Sequence, residues 1–398
     1  MNAEEFGRDF VRVALGIDQH LPGYVEKYYG PPEIAEAAQA EGKPAIEDLR
    51  SLAASLLHAA AAEPIFDAAR REYLVGELEA MQTTLRILQG ESFGIVDEVR
   101  RLYGVTPAWI DESTFLEVHR DLEALLPGAT PLAERYQAFR ENMYVPVEVA
   151  LEVIGRLSDE LRERTWGRFR LPQDERCEFT LVQDKPWAAY NWYLGGNKSR
   201  VEINTDRSIQ VGQLPYMIAH EAYAGHHTEH AIKEAGLYRA QGRLEHSILL
   251  CNAPSLLVSE GLAQNALDVL AEPVDIIRMY EAVLERSGYP KDEAKRLYEV
   301  VLAALKLAGV SDNELLMLHR DGATEDEVVA YGMRYALTTD ALERQVMKFR
   351  KDPLWRSYGY NYTIGSDLVQ QYLLRAADRR TAFARLLEEP MTPAQLAA

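Results

Sequence analysis

Two cysteines in 398 residues, Cys177 and Cys251, are too few for a disulfide framework and too far apart for a zinc knuckle. Positive charge is also scarce: 43 Lys and Arg against 62 Asp and Glu leave a formal charge of -19. An acidic surface repels phosphate, so neither nucleic acid nor an anionic membrane is an expected partner. No uncharged apolar run approaches the roughly 20 residues that span a bilayer. The opening Met1-Asn2-Ala3-Glu4-Glu5-Phe6 lacks the basic start and apolar stretch of a secretion signal. No biased tract and no fixed-period repeat occurs. These absences point to a soluble, cytoplasmic protein with both thiols reduced in its interior. Its length allows two domains or one large two-lobed one.

What is present is mostly helix-forming sequence. Residues 4–17 place Phe6, Phe10, Val13 and Leu15 mostly on one side of an amphipathic helix, which Tyr28-Tyr29-Gly30-Pro31-Pro32 then interrupts. From Ile46 to Leu88, apolar residues at three- and four-residue spacings predict two helices hinged near Glu63-Pro64. Three more follow over 96–103, 112–126 and 132–141. This first third carries no recognisable chemistry and is expected to form an N-terminal helical lobe, 1–145, with a junction at Met143-Tyr144-Val145-Pro146. The second lobe, 146–398, opens with a helix over 147–164. Cys177-Glu178-Phe179-Thr180-Leu181-Val182 then alternates like a strand. Tyr190 to Asn204 reads as a hairpin turning at Gly195-Gly196-Asn197. No other segment predicts a convincing strand. An exposed edge of this sheet could pair with an extended peptide, or the sheet could simply brace the fold.

Directly after the hairpin, His220-Glu221-Ala222-Tyr223-Ala224-Gly225-His226-His227-Thr228-Glu229-His230 gathers four of the nine histidines with two carboxylates. Histidine is the commonest protein ligand for transition metals, and His-Glu on a helix sets a ligand beside a general base. The helix should start near Leu214-Pro215 and run past Ile232. The usual HExxH spacing is missing, because Ala224 stands four residues after His220. At about 100° per residue, His226 would point about 240° away from His220. His227 would regain the face about 10 Å along the axis, too far to share a cation bound at about 2 Å. His220 and His226 can therefore meet only if the helix opens at Ala224-Gly225, where glycine tolerates unusual backbone. A second set needs no distortion: His226, Glu229 and His230 spell HxxEH, with Glu229 as base. Local geometry alone favours this second set.

The stretch resembles the HExxPGH motif of a bacterial family known as domain of unknown function 885, related to the glutamate-liganded zinc peptidases called gluzincins. His220, Glu221 and His226 match that motif, and Glu260-Gly261-Leu262-Ala263 matches the family's downstream Glu-Gly-x-Ala element. Tyr362-Thr363-Ile364-Gly365 matches a C-terminal Tyr-x-x-Gly element more loosely, and Tyr28-Tyr29-Gly30-Pro31 is similar to a segment of shorter members. Ala224 departs from the pattern, standing where the family usually has proline. The resemblance implies a mostly α, two-lobed gluzincin-like fold with a small β-hairpin beside the metal helix. It also implies one zinc per chain on His220, His226 and Glu260, with Glu221 as base.

Glu260 lies in an apolar run where an unpaired carboxylate would be costly, and Gly261 and Ala263 would let its helix approach the histidine helix. Glu229 and His230 then become neighbours of the site, and His246 is left to orient a ligand or face solvent. His20, His58, His119 and His319 sit singly in structural contexts. The expected reaction is zinc-dependent hydrolysis of a peptide or small amide. Of the phenols in Tyr358-Gly359-Tyr360-Asn361-Tyr362, Tyr362 is the first candidate to stabilise the oxyanion and Tyr360 the second. Arg356 and Arg375 could bind a substrate carboxylate. Rival expectations are hydrolysis of non-peptide amides or esters, a non-hydrolytic metal reaction, and an inactive binding module.

Overall fold

The computed structural model describes residues 2–62, 65–185 and 187–398. The chain is mostly helical with three small sheets. The first helix, Ala3–His20, is capped by Asn2, whose side chain accepts from the backbone of Glu4 and Glu5. Its buried face, including Phe6, Phe10, Val13 and Ile17, packs with Ile46–Ala62 and Ala68–Leu88. The hinge expected at Glu63-Pro64 lies outside the described residues. This apolar cluster closes on Leu244, Ile248, Leu250 and Ala253, far along the chain. A second cluster joins Phe115, Leu122 and Tyr136 to Val300, Val310 and Tyr335. The largest surrounds the histidine segment and includes Leu214, Ile218, Tyr223, Val258 and Leu262.

The hairpin forms as expected. Ala189–Gly195 pairs antiparallel with Lys198–Asn204 in the register Asn191 to Val201. The turn uses positive φ at Gly195, Gly196 and Asn197 (74°, 62° and 60°), where glycine and asparagine are tolerated. Arg176–Val182 lies parallel on the other side of Lys198–Asn204, which leaves Ala189–Gly195 at the edge. Glu234 fixes the sheet to the histidine segment by accepting from the backbone of Gly196 (3.0 Å) and Asn197 (3.2 Å).

Two further sheets correct the expectation that these strands stand alone. Val25–Tyr28 pairs with Ile248–Leu250, and Tyr144–Val145 with Ile209–Gln210. Strands of two to four residues are too short to show an alternating pattern, and tertiary pairing decides them. Among the described residues no helix is long and apolar enough to cross a membrane. Cys251 is buried, Cys177 is partly buried, and neither is paired.

Candidate metal centre

The histidine helix is not continuous. Leu214–Glu221 stops, four residues cross over, and a new helix runs His226–Lys233. The Tyr223-Ala224 peptide is cis. The crossing backbone remains hydrogen-bonded: Gly225 N–H donates to Ala219 O (2.9 Å), Thr228 N–H to Ala222 O (3.2 Å) and Glu229 N–H to Gly225 O (3.0 Å). Gly225 is required here for a further reason, the close approach of the two helix halves. A Cβ at this position would lie 1.9 Å from His220 O and 2.5 Å from Ala219 O. The two helices meet so closely that only a missing side chain fits.

The break folds His226 back onto His220. Their Nε2 atoms are 3.1 Å apart, with the rings nearly perpendicular at 89°. Glu260, on Pro254–Gln264, sends Oε2 to 3.4 Å from His220 Nε2 and 3.7 Å from His226 Nε2. That oxygen is buried and has no hydrogen-bond partner. These residues form the one group of three possible metal donors among the described residues. Ligand atoms about 2.0–2.2 Å from a tetrahedral cation stand about 3.3–3.6 Å from one another, close to the spacing observed. Two imidazole nitrogens and a carboxylate oxygen at this spacing are a donor set that suits a zinc-like cation. Burial pulls the His226 imidazolium down, but the negative charge of Glu260, aided by Glu221 and Glu229, outweighs it and pushes it up to about 9. Glu260 is correspondingly held well below the usual carboxylate range against its own burial, chiefly by the two imidazoles.

Neighbouring groups hold the donors in place. Tyr358 Oη donates to Glu260 Oε1 (2.7 Å), and Ser259 Oγ lies 3.3 Å from His226 Nδ1. With Nδ1–H donated to that hydroxyl, His226 presents the lone pair of Nε2 to the centre. Glu260 reaches its position because Pro254–Gln264 packs at backbone distance against Tyr360–Arg375. A Cβ on Gly261 would meet Gly365 O at 2.2 Å, and one on Gly365 would meet Leu257 O at 2.5 Å. Gly261 thus lets its helix approach Tyr360–Arg375, not the histidine helix as its sequence suggests. Glu221 is buried but its carboxylate takes no hydrogen bond or ion pair from any described residue, and burial raises its pKa. Its backbone oxygen accepts from Asn191 Nδ2 (2.6 Å) on the edge strand.

The inverted HxxEH set does not converge. The His226 and His230 rings stack nearly parallel, 9° apart with centroids 5.8 Å apart, so their in-plane lone pairs do not point at one atom. Glu229 is occupied by Lys233 Nζ (2.6 Å) and by the Ser259 hydroxyl. Burial holds His230 down to about 3. His227 faces away, tied to Ser199 Oγ and Glu175 Oε2 at 2.9 Å each. His246 is buried against Tyr73 with Nε2 unpartnered.

Tyr362 lies near the centre, its ring centroid 6.5 Å from that of His220, and is 40% exposed. Tyr360 is withdrawn into the core, where its hydroxyl donates to Asp312 O (3.3 Å), which removes it as a second oxyanion donor. Neither arginine considered for a substrate carboxylate is free. Arg356 is bound to both oxygens of buried Glu98, and Arg375 donates to Leu396 O. Tyr358, Ser259 and Asn191 take positions about the site that the sequence did not assign. Only adjacency to Glu260 could have flagged Ser259, and nothing in the sequence flagged Asn191.

A cleft of about 810 Å³ opens onto His220, Glu221 and Tyr362, walled by Trp187, Trp192, Tyr216, Met217, Leu305 and Phe349. A recess of about 100 Å³ lies behind the centre, beside His230, Lys233 and His246.

No protein-family profile and no curated protein matches the chain. The resemblance to the domain of unknown function 885 family therefore stands on its motif residues. Among solved structures, the chain is similar to a candidate lipoprotein from Colwellia psychrerythraea. The TM-score is 0.52 at 15% identity, over 92% of this chain and 68% of that one. A candidate lipoprotein of unknown function from Shewanella oneidensis gives 0.51 at 13% identity, over 92% and 75%. An M32 carboxypeptidase from Deinococcus radiodurans R1 gives 0.40 at 14% identity, over 99% and 93%. The first two likenesses show a shared fold, and the third is too distant to bear on function.

Proposed function

We propose that this chain is a gluzincin-like zinc peptidase that holds one zinc on His220, His226 and Glu260 and hydrolyses amide bonds. The observation that carries this is the broken helix. It sets two imidazole nitrogens 3.1 Å apart opposite a buried carboxylate oxygen with no other partner. Zinc, when bound, supplies the Lewis acidity that brings the pKa of a water towards about 7.

The chain's own groups do the rest. The unpaired Glu221 carboxylate takes the proton of the attacking water and passes it to the leaving nitrogen, helped by a pKa that burial raises. Tyr362, facing the cleft, donates its phenol to the developing oxyanion. Tyr358 holds Glu260, and the Asn191 amide fixes the backbone from which Glu221 projects. The cleft offers an apolar and aromatic wall to the substrate beside the reacting bond. A peptide substrate in solution suits this arrangement, with no role for nucleic acid or membrane. Unpaired cysteines fit a reducing compartment such as the cytoplasm.

Metal analysis of the purified protein should give about one zinc per chain, lost in His220→Ala. Glu221→Gln should retain zinc while amide hydrolysis falls on the order of 100-fold or more. If Glu229→Gln does this and Glu221→Gln does not, the inverted set is the true one.

A further inference from the structure

The wide cleft is lopsided in charge. Besides the metal-site pair His220 and Glu221, the ionisable acid or base with full charge that lines it is Glu26, and no lysine or arginine does so among the described residues. Glu26 sits on Val25–Tyr28, beside the edge strand. Its Oε1 accepts from Tyr190 Oη at 2.9 Å. Lys27 gives its hydrogen bond to Tyr190 Oη (3.0 Å) and stays 3.7 Å from Glu26 Oε1, beyond hydrogen-bond reach. Buried Lys27 also lies over the Tyr190 and Trp192 rings, 4.1 and 4.4 Å from their centroids, so it braces the cleft wall rather than reaching into the opening. Oε2 of Glu26 takes no partner from any described residue.

A substrate carboxylate in this cleft would face Glu26 and Glu221, with Lys27 already held between Glu26 and the Tyr190 ring and with Arg356 and Arg375 occupied elsewhere. The cation of the recess, Lys233, is already paired with Glu229, and about 100 Å³ is small for a substrate residue. An ammonium, by contrast, finds a ready acceptor in Glu26. The wall beside it is apolar and aromatic, and Leu305 (45%) and Phe349 (41%) remain exposed at its rim. Such surface is costly to leave in water and suits a large apolar side chain.

We propose that Glu26 is a specificity-determining residue that receives the primary ammonium at the amino-terminal end of a short peptide, whose large apolar side chain lies on the Trp187–Trp192–Phe349 wall. This rests on the peptide-hydrolase reading above and adds the end of the substrate that is recognised. The contact is a charge-assisted hydrogen bond in a partly desolvated cleft.

The test is calorimetric binding to Glu221→Gln, with and without added zinc, so that failure to load metal or to hydrolyse is seen apart from failure to recognise the amine. The probes are Leu-Phe amide, its N-acetyl form, N-acetyl-Leu-Phe with a free carboxylate, and N-acetyl-Lys-Phe amide. Leu-Phe amide should bind at least about tenfold more tightly than each of the other three. That advantage should vanish when Glu26→Gln is added, while binding of the acetylated amide stays within about twofold. Equal or tighter binding of the free carboxylate overturns the proposal. So does an amine preference that survives Glu26→Gln, equal binding of the lysine side-chain probe, or no measurable binding of Leu-Phe amide.

Discussion

Gly225→Ala is the sharpest test of how the metal centre is built. The added Cβ would start 1.9 Å from His220 O, whereas real Cβ contacts essentially never fall below 3.0 Å. The obstructing atom is backbone, so one helix half must retreat by about 1.1 Å. His220 rides on that half, and its Nε2 must stay within a triad whose edges are 3.1, 3.4 and 3.7 Å. A displacement of about 1 Å in such a constellation costs on the order of 100-fold, so zinc affinity should fall by about that factor. Overpacking itself costs about 1–3 kcal/mol. With an unfolding entropy of about 2.1 cal/mol/K per residue, a chain of this size loses roughly 1 °C of Tm per kcal/mol. The control is Gly155→Ala, in the helix Val147–Trp166, where an added Cβ meets nothing within 4 Å. That variant should bind zinc normally and be neutral to about 1 kcal/mol more stable. Zinc titration and thermal unfolding of both variants decide the matter. If Gly225→Ala binds zinc as tightly as the parent and melts with Gly155→Ala, the steric account of the helix break is wrong.

Three further outcomes are expected. With its imidazolium raised to about 9, His226 carries a proton in the metal-free protein at pH 7, and zinc must displace it. Zinc affinity should therefore rise about tenfold per pH unit towards pH 9 and level off above, with about one proton released at pH 7 in calorimetry across buffers. Because the folded pKa lies above the ordinary value near 6.5, its stabilisation of the metal-free protein is complete below about pH 6.5. It is lost as pH rises through 9. A flat zinc affinity over this range counts against His226 as ligand. Tyr358→Phe removes the donor on Glu260 Oε1 and should weaken zinc about 10–100-fold and cost about 1–3 kcal/mol in chemical denaturation. Tyr362→Phe should leave zinc affinity unchanged while slowing hydrolysis; the reverse pattern would exchange the roles of the two phenols.

Composition and periodicity by themselves determined the helical character of this chain, the hairpin at Gly195-Gly196-Asn197 and the approximate boundaries of most helices up to Trp166. These are local matters, settled by side-chain spacing and turn chemistry within a few residues. The histidine spacing also showed that a straight helix could not bring His220 and His226 together, a geometric fact that needs no coordinates. Spacing alone favoured the HxxEH set, because the case for the other pair depends on where Glu260, Tyr358 and Ser259 arrive from elsewhere in the chain. The same limit explains the glycines. The sequence marks Gly225 and Gly261 as permissive, but only packing reveals that a His220 carbonyl presses on one and the Gly365 backbone on the other. Glu26, almost two hundred residues before the histidine helix, had no local pattern to announce it, and a short strand pairing with Ile248–Leu250 carried it into the cleft. Periodicity reports what a residue's neighbours in sequence require, while a site is made by contacts between segments whose separation along the chain carries no signal.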